Sequence, residues 1–65
     1  MKKGFIDLVK REGAVSPVLY GKYMYKYFTD GKRETVWRQH VWNRFTINKV
    51  YEHNFETGYK WEAIR

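Results

Sequence analysis

Apolar residues near the start of the chain recur at helical spacing. The pattern predicts a short helix over Phe5–Glu12, with Phe5, Leu8 and Val9 on one side and charged residues largely on the other. Gly13 follows directly, and a glycine can end a helix in the left-handed conformation without a steric penalty. Two helical turns are not stable alone in water, so we expect the apolar side to dock on the rest of the chain.

A tyrosine-rich stretch and its return strand follow the helix. Val18–Phe28 is extended in character, Asp30-Gly31 is a strong hairpin signal, and Thr35–Trp42 supplies the returning strand. Residues 36–45 also fit a helix, because apolar side chains recur there every four residues. Aromatic and β-branched residues at the beginning of this segment favour the strand, and the helix remains the alternative.

The first hairpin has two possible registers. A two-residue turn at Asp30-Gly31 pairs Tyr25 with Val36, whereas a three-residue loop with a left-handed Gly31 pairs Tyr23 with Trp37. The second register is preferred, since it places aromatic side chains together and opposite charges across from each other.

A second hairpin is predicted near the end of the chain. Phe45–Phe55 alternates in polarity, Glu56–Gly58 forms a loop with its glycine left-handed, and Tyr59–Ile64 returns. The preferred register pairs His53 with Trp61. The expected fold is therefore a single domain over residues 1–65, α+β but dominated by β-structure. It has a short N-terminal helix and four antiparallel strands, arranged as a highly twisted sheet or a small, partly open barrel.

Composition limits the classes of function. The 65 residues include 20% aromatic side chains and no cysteine, so stability must come from packing rather than from disulfides. No apolar run is long enough to span a membrane, and no secretory signal is recognisable, which leads us to expect a soluble cytoplasmic protein that does not bind membranes. The net charge of +6 favours polyanionic partners.

Catalysis is poorly supported by the residues present. Ser16 is the only serine, and His40 and His53 lie 13 residues apart without metal-ligand spacing. The five glycines are scattered and do not form a phosphate-binding loop. We expect no catalytic residues, no metal and no cofactor.

Aromatic and basic residues alternate through the first hairpin, where the positive charge is concentrated. Bases stack on exposed aromatic rings while Lys and Arg neutralise phosphates, so this pattern is typical of nucleic-acid binding. A packed aromatic core with a solvated lysine face would produce the same pattern. The candidate nucleic-acid-binding residues are Lys22, Lys26, Arg33, Arg38, Tyr23 and Trp37. In the preferred register, Lys22 lies opposite Arg38, and Arg33 falls on the tyrosine face.

One family resembles this region. Gly21-Lys22-Tyr23-Met24-Tyr25-Lys26-Tyr27, followed by Gly31 and Val36-Trp37, is similar to the sheet portion of the small N-terminal DNA-binding domain of conjugative-transposon integrases. That family lays a three-stranded sheet in the DNA major groove. The resemblance covers residues 21–37 and implies that the partner is DNA.

A second class of function fits the same composition. Short basic chains of this kind are common in phages and mobile elements, and many of them bind a host protein and inhibit or redirect it. Clusters of Trp, Tyr and Arg are typical of the central residues of protein–protein interfaces. The alternative partner is therefore an acidic surface on a host protein.

Overall fold

One helix and an open sheet make up the part of the chain that the computed structural model describes, residues 3–63. The elements are α1 (Lys3–Glu12), β1 (Val18–Tyr20), β2 (Tyr23–Thr29), β3 (Arg33–His40), β4 (Asn43–Asn54) and β5 (Lys60–Glu62). Each strand pairs antiparallel with the next one in sequence, in the order β1-β2-β3-β4-β5. The β-dominated α+β class is confirmed. Ile64, at the end of the predicted last strand, lies outside the described residues.

The sheet has five strands, so the predicted number of four is wrong. The single strand expected over Val18–Phe28 is divided at Gly21-Lys22, where Gly21 has a φ of 64° and Tyr20 pairs with Tyr23. Positive φ suits glycine, which makes a tight turn possible here. Strands β1 and β5 lie at the two edges, so the sheet is not closed into a barrel.

The predicted helix is confirmed and begins two residues earlier than expected, at Lys3. Val9 is fully buried, as predicted, and Phe5 packs against the core, but Leu8 is only half-buried and Ile6 is buried in its place. Gly13 does not have positive φ. A Cβ there would lie 2.6 Å from the carbonyl oxygen of Val9, so lack of space requires this glycine.

The core lies between α1 and one face of the sheet. It consists of buried apolar or aromatic residues from the helix and from strands β2, β3 and β4: Ile6, Val9, Tyr25, Val36, Val50 and Tyr51. Phe5 adds an edge-to-face contact with Tyr25, with ring centroids 5.0 Å apart. Tyr23, Tyr25 and Tyr27 share this helix-side face, as the alternation of a strand predicts.

Both registers considered for the first hairpin are wrong. The structure pairs Thr29 with Glu34 and Lys26 with Trp37, which places Gly31-Lys32 at the centre of the turn. Asp30 explains the difference, because its Oδ1 accepts the backbone N–H groups of Lys32 and Arg33 at 2.9 and 3.0 Å. These two hydrogen bonds lower the pKa of Asp30.

Strand β4 contains a bulge that alternation could not predict. Val36 pairs with Tyr51 and Trp37 pairs with Lys49, so Val50 is the extra residue. Val50 and Tyr51 are consecutive, yet both are buried, which regular alternation forbids and a bulge permits.

The remaining connections correct two further expectations. Strand β3 continues to His40, so the helix alternative over residues 36–45 is wrong. Trp61 pairs with Glu52 and not with His53, one residue away from the predicted register. Gly31 and Gly58 have φ values of 89° and 76°, which confirms the left-handed conformation expected at both. The helix found in residues 3–63 is too short to cross a membrane.

Candidate functional site

The sheet has one face without a covering helix, here called the open face. Residues that pair directly across antiparallel strands lie on the same face, so the register defines its members. They form four rows across the strands. The first row is Leu19, Met24 and Gln39, and the second is Lys26, Trp37 and Lys49. The third row is Phe28, Thr35, Glu52 and Trp61, and the fourth is Arg33 and Asn54.

The second row places an indole between two cations. Trp37 pairs with Lys26 on one side and with Lys49 on the other. Neighbouring strands lie about 4.8 Å apart, so the two lysines are separated by roughly 10 Å at their backbones. Trp37 Nε1 donates to Thr35 Oγ1 at 3.1 Å, which fixes the orientation of the indole.

The third row carries aromatic rings towards both edges of the sheet. Lys26 Nζ lies 5.8 Å from the ring centre of Phe28, and Lys49 Nζ lies 5.6 Å from that of Trp61. Each lysine of the second row is therefore next to an aromatic ring as well as to Trp37. Phe28 and Trp61 are exposed, so both rings can accept a further contact.

A concavity of about 360 Å³ lies beside Trp37. Residues from β2, β3 and β4 and from the segment before β1 line it, namely Pro17, Met24, Lys26, Phe28, Trp37, Arg38, Gln39 and Ile47. The lining is mostly apolar with a few polar groups, which is typical of ligand sites.

The open face carries more positive than negative charge. Glu52 accepts from Lys49 Nζ at 2.6 Å and lies 3.7 Å from Arg33 Nη1. The hydrogen bond from Lys49 is the main reason that the pKa of Glu52 is lowered. With Lys26, three cations stand against the carboxylate of Glu52 and, at the turn, that of Asp30, which lies beside Arg33.

Three of the predicted site residues meet on the open face: Lys26, Arg33 and Trp37. Arg33 pairs with Asn54 there, so its expected position on the tyrosine face is wrong. The register differs by an odd number of residues from the preferred one, and an odd shift moves every side chain of a strand to the opposite face.

The other three predicted residues lie elsewhere. Arg38 pairs with Tyr25, and its guanidinium carbon lies 4.3 Å from the ring centre of Tyr23, so both residues belong to the helix-side face. Lys22 is exposed in the turn between β1 and β2 and does not face Arg38. Its carbonyl oxygen accepts the N–H of Val41 at 2.9 Å.

The open face also contains Lys49, Trp61 and Phe28, which were not among the predicted site residues. Phe28 could have been included, because it lies two residues after Lys26 on the same strand. Lys49 and Trp61 depend on the bulge at Val50 and on the register of β5, and neither feature has a clear sequence signal.

A second polar cluster lies beneath the helix, centred on Glu34, which is 3% exposed. Lys10 Nζ on α1 lies 2.9 Å from Glu34 Oε2, and the hydroxyl groups of Tyr27 and Tyr51 donate to the carboxylate at 2.8 and 3.1 Å. His53 Nδ1 lies 3.3 Å from Oε2. The carboxylate is therefore enclosed by its partners, which indicates a structural rather than a catalytic role.

The pKa values in this cluster follow from burial and charge. Burial raises the pKa of Glu34, but the hydrogen bonds from Lys10 and the tyrosines outweigh it, so the net pKa is lowered. Burial and the negative charge of Glu34 raise the pKa of Tyr51 to about 12. The carboxylate is thus ionised and Tyr51 protonated at neutral pH.

A third feature is the turn between β3 and β4 together with the first residues of β4. Trp42 is 88% exposed and Phe45 is 92% exposed, so neither ring contributes to the core. The turn is held by polar contacts instead, since His40 Nδ1 accepts the N–H of Trp42 at 3.1 Å and Asn43 Oδ1 accepts that of Phe45 at 3.0 Å. Two large aromatic side chains are therefore presented to a partner or to solvent.

No group of three or more potential metal ligands is found within residues 3–63. Compared with protein-family models, with curated proteins and with solved structures, the chain gives no match.

Proposed function

We propose that the chain is a non-enzymatic nucleic-acid-binding module that acts through the open face of its sheet. The observation that carries the proposal is the row in which Trp37 lies between Lys26 and Lys49. Alternating rings and cations can bind both the bases and the phosphates of a nucleic acid, because bases stack on aromatic rings and phosphates pair with cations.

Two further observations support the proposal. The open face has an excess of positive charge, and the chain as a whole has a net charge of +6, which attracts a polyanion from a distance. Phe28 and Trp61 extend the ring surface on either side of Trp37. DNA is the form we propose first, on the resemblance of residues 21–37, with the cytoplasm as the setting.

The test is a titration of labelled short DNA and RNA oligonucleotides at two salt concentrations. Lys26→Ala and Lys49→Ala should each weaken binding for all sequences and reduce the salt slope by about one. Lys60→Ala is the matched control, because Lys60 pairs with His53 and therefore belongs to the helix-side face. Equal losses in all three variants, or no binding to DNA or RNA at low salt, would contradict the proposal.

Binding to a host protein is the second candidate, and the exposure of Trp42 and Phe45 favours it. Buried aromatic anchors contribute most of the energy in many protein interfaces. The test is a pull-down from nuclease-treated lysate with the wild type, the double variant Trp42→Ser/Phe45→Ser, and Trp37→Ser. A protein partner retained by Trp37→Ser and lost by the double variant would support this candidate over the first.

A further inference from the structure

We infer that the nucleic acid bound by the open face is a single strand with unpaired bases, and not a duplex. This inference rests on the proposed function and specifies its ligand, and it departs from the binding in the groove of a duplex that the resemblance of residues 21–37 implies. It follows from the positions of the rings, from the chemistry around Trp37 and from the shape of the face.

The three rings are positioned for successive bases. Phe28 and Trp61 lie at the two ends of one row, three strand spacings or about 14 Å apart, and Trp37 lies in the adjoining row between them. Stacking requires the flat surface of a base, which a duplex covers with the neighbouring base pairs. The rings can therefore contribute fully only to a strand whose bases are unpaired.

The chemistry around Trp37 also favours a single strand. A protein that reads a duplex directs hydrogen-bonding groups at the edges of the bases in a groove. Met24 and Ile47 line the concavity beside Trp37, so the centre of the open face is mainly apolar. Such a surface suits the rings of bases better than their polar edges.

The shape of the face agrees with this ligand. The concavity of about 360 Å³ lies in the range of small-ligand pockets, roughly 300–1,000 Å³. An unpaired base of a single strand can enter such a hollow, whereas the convex surface of a duplex cannot. Lys26 lines the hollow and Lys49 lies on the far side of Trp37, so phosphates on both sides of a stacked base would meet a cation.

The experiment compares four probes of equal length under equal salt: single-stranded DNA, single-stranded RNA of the same sequence, the DNA duplex, and an abasic phosphodiester strand. We expect one or both single strands to bind at least about tenfold more tightly than the duplex and the abasic strand, since each stacked base contributes an effect of that order. The two single strands distinguish DNA from RNA.

Two variants connect this preference to the open face. Trp37→Ala should reduce single-strand binding by about tenfold and leave duplex and abasic binding unchanged. Phe28→Ala should act in the same direction, and this variant should remain folded because Phe28 is exposed. Trp42→Ala is the matched control, because it removes an exposed indole from the hairpin turn instead of from the face.

The outcomes separate this inference from the proposed function. No binding to any probe would overturn both. Duplex or abasic binding as tight as single-strand binding would overturn the inference and leave nucleic-acid binding standing. A single-strand preference lost in Trp42→Ala and retained in Trp37→Ala would also overturn it, because the bases would then contact the turn.

Discussion

Glu34 stays ionised beneath the helix because the hydrogen bonds from Lys10 and two tyrosines outweigh the effect of burial on its pKa. Leaving the charge of a buried carboxylate unpaired would cost several kcal/mol. Lys10 supplies an opposite charge at 2.9 Å, and two tyrosine hydroxyl groups donate to its oxygens. The same contacts join α1 to strands β2, β3 and β4, so this residue links the helix to the sheet.

Replacing Glu34 with glutamine should destabilise the fold and change its pH dependence. Loss of the charge-assisted hydrogen bonds should lower the free energy of unfolding by about 2 kcal/mol at neutral pH. The pKa of Glu34 is lower in the folded than in the unfolded chain, so its contribution is present above the unfolded pKa and lost as the pH falls through the folded pKa. Urea unfolding at neutral and acidic pH measures both effects.

The difference between the wild type and Glu34→Gln should therefore shrink on acidification. Asp30 and Glu52 also have lowered pKa values and contribute to acid sensitivity, but they do so equally in both proteins. Glu56→Gln makes the same chemical change in an exposed loop and serves as the control. A difference that remains constant down to strongly acidic pH would contradict this role of Glu34.

Among the helix and strands, the sequence marked two of the four hairpin turns of residues 3–63 but could not set the registers of the strands. Asp30-Gly31 and Gly58 marked two turns correctly, because positive φ favours glycine. The side chain of Asp30 moved the centre of the first turn to Gly31-Lys32 by binding two backbone N–H groups. Such local hydrogen bonds compete with the turn that an Asp-Gly dipeptide usually forms, and the dipeptide alone does not show where the turn will be centred.

The helix docks on the sheet through Val9, and the contribution of Val9 to stability can be measured separately from that of Leu8. Val9→Ala should lower the free energy of unfolding by roughly 2 kcal/mol, since it opens a cavity in a fully buried position. That is a large part of the roughly 3–10 kcal/mol expected for a domain of this length. Leu8→Ala, at the half-buried neighbour, should cost less, although it removes more atoms.

Denaturant midpoints of the two helix variants check this order. A larger loss in Leu8→Ala than in Val9→Ala would show that Leu8, and not Val9, is the main contact of the helix with the sheet. Equal and negligible losses would show that the helix contributes little to stability.

At the scale of the whole molecule, the two faces of the sheet have different compositions. The helix-side face holds the buried tyrosines and Val36, whereas the open face holds the exposed rings of Phe28 and Trp61 with a lysine beside each. Alternation along β2 was enough to separate Tyr25 from Lys26. Alternation could not assign Lys49 or Trp61 to a face of the sheet. The bulge at Val50 reverses the alternation on β4, and the face of each β5 residue depends on its pairing with β4.

Two adjacent residues on β3 should therefore have different effects, one on stability and the other on binding. Val36 is fully buried on the helix-side face, and its neighbour Trp37 lies on the open face. Val36→Ala should lower the free energy of unfolding by roughly 2 kcal/mol and leave nucleic-acid affinity unchanged at temperatures where the variant is folded. Trp37→Ala should reduce single-strand affinity by about tenfold with a smaller loss of stability. Thermal unfolding and oligonucleotide titration of both variants measure the two effects. A Val36→Ala protein that remains folded yet loses affinity as strongly as Trp37→Ala would show that binding depends on the core and not on the open face.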